Sequence, residues 1–297
     1  MRIDIHQHLW PDVLVQELRQ RSRPPRLTGW TLLTQGEPPF AVNPADHDPG
    51  QRAAQADRDG TDLIVIGPSS PLGIEYLAPE EAEPLLDAYH QGVLELGRPF
   101  AGWAAAGLTA VDVPGLRKRL DLGFVGLQMP ATALADESGY CRYGPLLDLL
   151  AERDLPLFIH PGPVTGTAGP AWWPALVPYV QQMHAAWFAF HVYGRPAYPR
   201  LRVCFAALAG LGPLHGERLA ARGGNPLARG KIDSRMFVET SSYGDRAVDS
   251  TLRVLGADVI VFGSDRPYAS PRADLNLGQA VGHAIRIANP ARLLHGD

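Results

Sequence analysis

The chain has 297 residues, 45% hydrophobic and 20% charged, with a formal net charge of −4. This is the composition of a globular protein with a sizeable core, and without a basic block it excludes a nucleic-acid groove or an anionic membrane surface as the expected partner. Two scattered cysteines, Cys141 and Cys204, exclude a disulfide framework and a cysteine metal site and suit a reduced, cytoplasmic setting; no apolar run approaches the roughly 20 residues of a membrane span, and Asp4 with two histidines inside the first apolar stretch is unlike a signal peptide.

The first ten residues, Met-Arg-Ile-Asp-Ile-His-Gln-His-Leu-Trp, alternate like a strand. Ile3 and Ile5 face one way; Asp4, His6 and His8 face the other. Two imidazoles side by side on one strand face form a ready pair of metal ligands. Asp12 to Gln20 is a short amphipathic helix with Val13, Leu14 and Leu18 as its apolar face. Residues 21–48 are rich in Pro and Gly and contain Trp30 and Phe40. A long excursion leaving the first strand is expected to lie over a barrel mouth as a lid or specificity loop.

From there strands and helices alternate. Asp48 to Asp59 predicts a helix and Asp62 to Gly67 a buried strand. Pro79 to Leu96 predicts a helix, and Phe100 to Ala106 the third strand. Val113 to Leu120 is helical, Gly123 to Gln128 the fourth strand, Tyr143 to Arg153 helical, and Leu155 to His160 the fifth strand. Trp172 to Tyr193 predicts one long helix and Leu201 to Ala206 the sixth strand. Pro213 to Arg222 is helical, Met236 to Thr240 the seventh strand, Arg246 to Leu255 helical, and Asp258 to Gly263 the eighth strand. A helix from Asn276 to Ala288 closes the set. This alternation predicts a single α/β domain over residues 1–297, a (β/α)8 TIM barrel. An open doubly wound sheet would call for a Gly-rich phosphate turn after the first strand, where His-Gln-His stands instead.

In a barrel all C-terminal strand ends converge on one mouth. His6 and His8 end strand one, His160 ends strand five, and Asp265 follows strand eight. Taken singly, His160 reads equally as a capping or core residue, and Asp265 reads more readily as a helix N-cap than as a ligand. Together, three imidazoles and a carboxylate suit one divalent ion, zinc first, with manganese or iron as alternatives.

Ile3-Asp-Ile-His-Gln-His8, Pro156-Leu-Phe-Ile-His-Pro161, Val261-Phe-Gly-Ser-Asp-Arg-Pro267 and the closing Asn289-Pro-Ala-Arg-Leu-Leu294 resemble the metal-dependent amidohydrolase superfamily, in the branch that includes aminocarboxymuconate-semialdehyde decarboxylase. The resemblance spans essentially the whole chain. It implies His6, His8, His160 and Asp265 as metal ligands, with Asp265 also the catalytic proton carrier. The family usually has a histidine at the end of strand six; here Ala207 occupies that position in an ungapped alignment, and alanine has no polar side-chain atom. His184, His191 and His215 are candidates to have taken over its task. Binuclear relatives bridge their metals from strand four, where Gln128 is a poor bridge, so one metal is expected.

Trp10, Trp103, Gln128, Glu239, Arg266 and His191 are candidate substrate contacts, and Asp4 is placed to orient a ligand histidine. The expected reaction is metal-assisted hydrolysis of an amide, lactam, lactone or ester of a small molecule, with Asp265 taking the proton of the attacking water. The alternative is non-oxidative decarboxylation of an unsaturated or aromatic acid; a non-catalytic binding protein or an iron redox enzyme on the same barrel is a further one. The aromatic content of Trp172 to Tyr193 predicts burial against a second copy, hence a homodimer.

Overall fold

A computed structural model describes residues 1–166, 169–223, 232–270 and 275–296. In chain order the strands are β1 (Ile3–Gln7), β2 (Arg26–Thr28), β3 (Thr31–Leu33), β4 (Phe40–Ala41), β5 (Leu63–Ile66), β6 (Phe100–Gly102), β7 (Leu127–Pro130), β8 (Leu157–His160), β9 (Val203–Phe205), β10 (Met236–Glu239) and β11 (Ile260–Val261). Two parallel runs, β1-β5-β6 and β7-β8-β9-β10-β11, make one eight-stranded barrel. The first seam is the bridge between Ala104 and Leu127. The second joins β11 to β1 through Ile5 N to Phe262 O at 3.1 Å and His8 N to Arg266 O at 2.7 Å. The protein is an α/β TIM barrel, as its alternation of elements predicts.

Every residue of β1, β7, β8, β9 and β10 is buried, because helices cover the outside and side chains fill the inside. The early helices α1 (Asp12–Gln20), α2 (Pro49–Asp59), α3 (Pro79–Glu95) and α4 (Val113–Asp121) match the expected ranges within a residue or two. Helix α2 starts where Asp48 accepts the amide of Gln51 at 2.8 Å and stops at Gly60, whose φ of 63° only glycine adopts readily. Helix α5 (Glu137–Arg153) begins six residues before the expected Tyr143, because Asp136 caps Gly139 N at 3.2 Å.

Three segments add to or depart from the expected elements. The segment over residues 21–48, expected as a lid or specificity loop, carries strands of its own: β2, β3 and β4 pair antiparallel as a small meander. Leu27, Leu32 and Val42 face the core, and Trp30 packs under the Arg19 guanidinium, 4.8 Å from its ring. The segment from Trp172 to Tyr193 is not one helix but α6 (Trp173–Leu176), α7 (Pro178–Ala189) and a π turn over Phe190–Gly194. After β9 the helix expected over Pro213 to Arg222 is confined to Gly216–Ala221. Ala207, Leu208, Ala209, Gly210 and Leu211 all have φ between 48° and 60°, a left-handed turn that costs L-residues about 1–2 kcal/mol each. Its tight seat on α7 requires glycine at one point: a Cβ on Gly210 would lie 2.5 Å from Val180 O. Among the described residues no helix is long and apolar enough to cross a membrane.

Candidate metal centre

Barrel closure brings His6, His8, His160 and Asp265 together, their ligand atoms all within 4.8 Å of one another. His6 Nε2 lies 3.0 Å from His8 Nε2. Asp265 Oδ1 lies 3.6 Å from the first and 3.2 Å from the second. Ligands bonded to one ion at about 2.0–2.2 Å stand about 3–4 Å apart. The histidines are almost fully buried, whereas the Asp265 side chain keeps 20% of its exposure.

The hydrogen bonds behind the rings decide whether a metal fits. His8 Nδ1 is 3.1 Å from Gly67 O, and His160 Nδ1 is 2.8 Å from Pro161 O. A carbonyl only accepts, so both Nδ1 atoms carry the hydrogen. His6 Nδ1 is 3.1 Å from Glu239 Oε2 and donates likewise. With all three rings neutral, three Nε2 lone pairs converge with a carboxylate, an arrangement that a bound cation relieves. Burial pushes the His8 and His160 pKa values down and keeps those rings neutral and able to ligate. At His6 burial also works against the charged form, but Glu239, Asp265 and Asp4 outweigh it and raise the pKa. Asp265 is drawn below the ordinary carboxylate range: burial would raise it, but the His8 hydrogen bond and the nearby imidazoles win. The donor set fits a divalent metal ion.

Backbone conformation places the carboxylate. Asp265 has φ 55°, a region aspartate tolerates better than most residues. Its amide donates to His6 O at 2.9 Å, and Ser242 Oγ lies 3.5 Å from Oδ2. Asp4 does not orient a ligand ring. Its carboxylate instead accepts the amides of His6 at 3.2 Å and Ser264 at 3.0 Å, and the Gln7 side chain at 2.6 Å, tying β1 to the end of β11. The buried Arg52 donates to His8 O, Asp46 O, Arg266 O and the Gln7 amide oxygen, which clamps α2 against the same strand end.

The candidate substrate contacts occupy different places around the site. Trp103 lies below the site, donating to Ile5 O at 2.9 Å and stacking on Phe158. Trp10 is buried with its face on His47 and its Nε1 on Ser69 Oγ. Glu239 is fully buried and serves His6, Ser241 and Ala207 N rather than a ligand. Arg266 pairs with Asp59 at 2.5 Å. His191 packs on Trp187 beside Arg195 and Asp233 at the opposite, N-terminal end of the strands. Gln128 sits within β7 rather than at its end; it pairs in register with Phe158 and donates to Pro68 O at 2.7 Å and Ser70 Oγ at 3.0 Å. The residue level with His160 is Pro130, which has no side chain for a second metal. Of the histidines considered for the strand-six task, His184 and His215 pair with each other, ring centroids 4.9 Å apart, outside the ligand group.

Residues the sequence reading missed stand at the mouth. The ring of Tyr268 is 5.4 Å from that of His8 and 6.2 Å from that of Phe40, and its hydroxyl pairs with Ser69. Tyr179 of α7 donates to Glu37 Oε1 in the β3–β4 loop of the meander, the cap of this mouth. Tyr268, three residues past Asp265, was within reach of a sequence signal; Glu37 and Tyr179 were not, because only the folded cap brings them together.

An amidohydrolase family model matches residues 3–295. Among solved structures, that of IDCase from Metarhizium anisopliae covers 99% of this chain and 97% of its own at 17% identity and TM-score 0.79. The 5-carboxyvanillate decarboxylase LigW from Sphingomonas paucimobilis covers 99% and 98% at 17% identity and TM-score 0.74. A dihydroxybenzoic acid decarboxylase from Polaromonas sp. JS666, with bound manganese and the inhibitor 2-nitroresorcinol, covers 99% and 96% at 16% identity and TM-score 0.72. No curated protein sequence matches the chain. The expectation of amide or ester hydrolysis is corrected here: the full-length matches include decarboxylases, which favours the alternative reaction. With the family model spanning nearly every residue and the ligand set assembled, this chain belongs to the amidohydrolase family.

Proposed function

We propose that this protein is a metal-dependent, non-oxidative decarboxylase of a small aromatic or unsaturated carboxylic acid. The observation that carries the reading is the convergence of three Nε2 lone pairs and the Asp265 carboxylate at the barrel mouth, together with the reaction carried out by the similar full-length structures. Imidazole and carboxylate donors accept manganese or zinc, and manganese is the ion in the Polaromonas enzyme. When bound, the ion supplies a fixed positive charge that holds the substrate's carboxylate or a neighbouring oxygen and draws electron density from it.

The chain's residues then have separate tasks. His6, His8 and His160 hold position through their Nδ1 hydrogen bonds. Asp265, ionised at rest, collects a proton from a substrate hydroxyl or from solvent and delivers it to the carbon that bears the carboxylate. The C–C bond breaks, its electron pair stays with that carbon, and CO2 leaves. Tyr268 and the cap keep bulk water off the reacting carbon. Ala207 offers no side chain for proton transfer, so Asp265 carries that step without a strand-six histidine.

The protein is further read as a cytoplasmic homodimer. Trp172, Trp173, Leu176, Val192 and Tyr193 remain exposed, an apolar flank suited to a second copy, whereas Trp187 and Phe190 are buried in their own barrel. The test of function is manganese-loaded protein with a panel of hydroxybenzoates in D2O. CO2 release with one deuterium placed on the former carboxylate carbon is expected; no CO2 from any member overturns the reading.

A further inference from the structure

The cap delivers an acid to the mouth, and no catalytic task described so far uses it. Glu37 lies between β3 and β4, its amide bonded to Thr34 Oγ1 at 3.2 Å. Tyr179 reaches across from α7 and donates to Glu37 Oε1. Three residues on, Phe40 contacts Tyr268, and Tyr268 contacts His8. Gly36 is pressed against the loop after β8, where a Cβ would lie 1.5 Å from Val164 O. The cap is thus seated on both sides of the metal centre. Tyr179 and Tyr268 each lie within electrostatic reach of both Glu37 and Asp265.

The charges at this mouth are one-sided. Among the described residues, the arginines on the β1 and β11 side are engaged: Arg52 by backbone carbonyls and the Gln7 amide, Arg266 by Asp59. On the cap side of the metal ligands stand the Glu37 carboxylate and the Tyr179 phenol, and Tyr268 joins them to His8. An ionised carboxylate offers about four acceptor sites, and Tyr179 fills one. Burial pushes the Glu37 pKa up while the Tyr179 hydroxyl holds it down. A second substrate carboxylate placed here would meet like charge and no described cation, whereas a hydroxyl or ring N–H would find an acceptor.

We infer that Glu37, held by Tyr179, is a specificity-determining residue that selects a monocarboxylic acid bearing a hydrogen-bond donor at the end remote from its metal-bound carboxylate, and rejects a dicarboxylic acid. This rests on the decarboxylase reading for which group is lost, but the selection concerns the other end of the substrate. It is a property of this chain's cap, since the metal ligands alone treat both acids alike.

The experiment compares two probes on manganese-loaded protein: 2,4-dihydroxybenzoate, with a hydroxyl opposite the scissile carboxylate, and 2-hydroxyterephthalate, with a carboxylate there. Calorimetry measures binding and CO2 release measures turnover. The wild type is expected to bind the first about tenfold or more tightly than the second, the scale of one charge-assisted hydrogen bond. Glu37→Gln should bring the two within about threefold, and Glu37→Lys should reverse the order. Tyr179→Phe, which leaves the carboxylate in place, should keep the order and guards against a fold effect in the Glu37 variants. A preference unchanged in both Glu37 variants overturns the inference. So does a wild type that favours the dicarboxylate, or one that binds manganese and neither acid. Glu37-dependent binding without CO2 release would sink the decarboxylase reading and leave the selection standing; CO2 release with a preference indifferent to residue 37 would do the opposite.

Discussion

Glu239 Oε2 stands 3.1 Å from His6 Nδ1 and, with the same oxygen, 3.2 Å from the amide of Ala207. One buried carboxylate thus fixes a metal-site ring and anchors the left-handed turn that follows β9. The contact to the turn is made by the backbone N–H of residue 207, which donates to the carboxylate. Glu239→Gln keeps an acceptor for His6 but removes the charge. It should weaken metal binding by about 10–100-fold, read by titrating manganese into metal-free protein. Unchanged affinity would mean that the contact serves packing alone.

Asp265→Asn should abolish turnover by several powers of ten, because an amide neither carries the proton nor ligates as well. His184→Ala, His191→Ala and His215→Ala should each cost about tenfold or less, since the first and last pair with each other and His191 lies at the far end of the barrel. A loss in any of the three as large as that in Asp265→Asn, with metal still bound, would relocate the proton step to that histidine.

Glu75 supplies a pH test of stability. It is buried beneath the mouth, accepts from Ser70 Oγ at 2.5 Å, and burial pushes its pKa up to about 7 from 4.5. Between those values the unfolded chain releases this proton while the folded protein keeps it. Stability is therefore lost as pH rises from about 4.5 to about 7, by roughly 3 kcal/mol from this group. Glu75→Gln removes that dependence. Its new amide faces the place where Glu75 Oε2 has no partner, a cost of about 1–3 kcal/mol at every pH. The melting temperature of the variant relative to wild type should rise steadily across this window and then level off. A difference flat with pH would show that Glu75 is ionised throughout.

The exposed flank predicts assembly. Light scattering should report a dimer at micromolar concentration, and Trp172→Glu with Leu176→Glu should yield monomer without loss of the melting transition, since both residues are more than half exposed. A wild-type monomer would refute this.

The alternation of apolar strands with helices, and His6, His8, His160 and Asp265 at strand ends, were legible in the residues because barrel geometry sends every strand end to one mouth. The short range of that logic also bounds it. Strand periodicity says which side chains point inward but not at what depth, so Gln128 and Trp103 read as mouth residues although register sets them below His160. Glu239 was visible as a polar strand end, but whether it met a substrate or a ligand ring depended on a contact spanning 233 positions. The meander of residues 26–41 and the pairing of Glu37 with Tyr179 likewise had no local signal. Local pattern determined which residues could hold a metal ion; only tertiary packing, by joining segments far apart in the chain, decided what surrounds them.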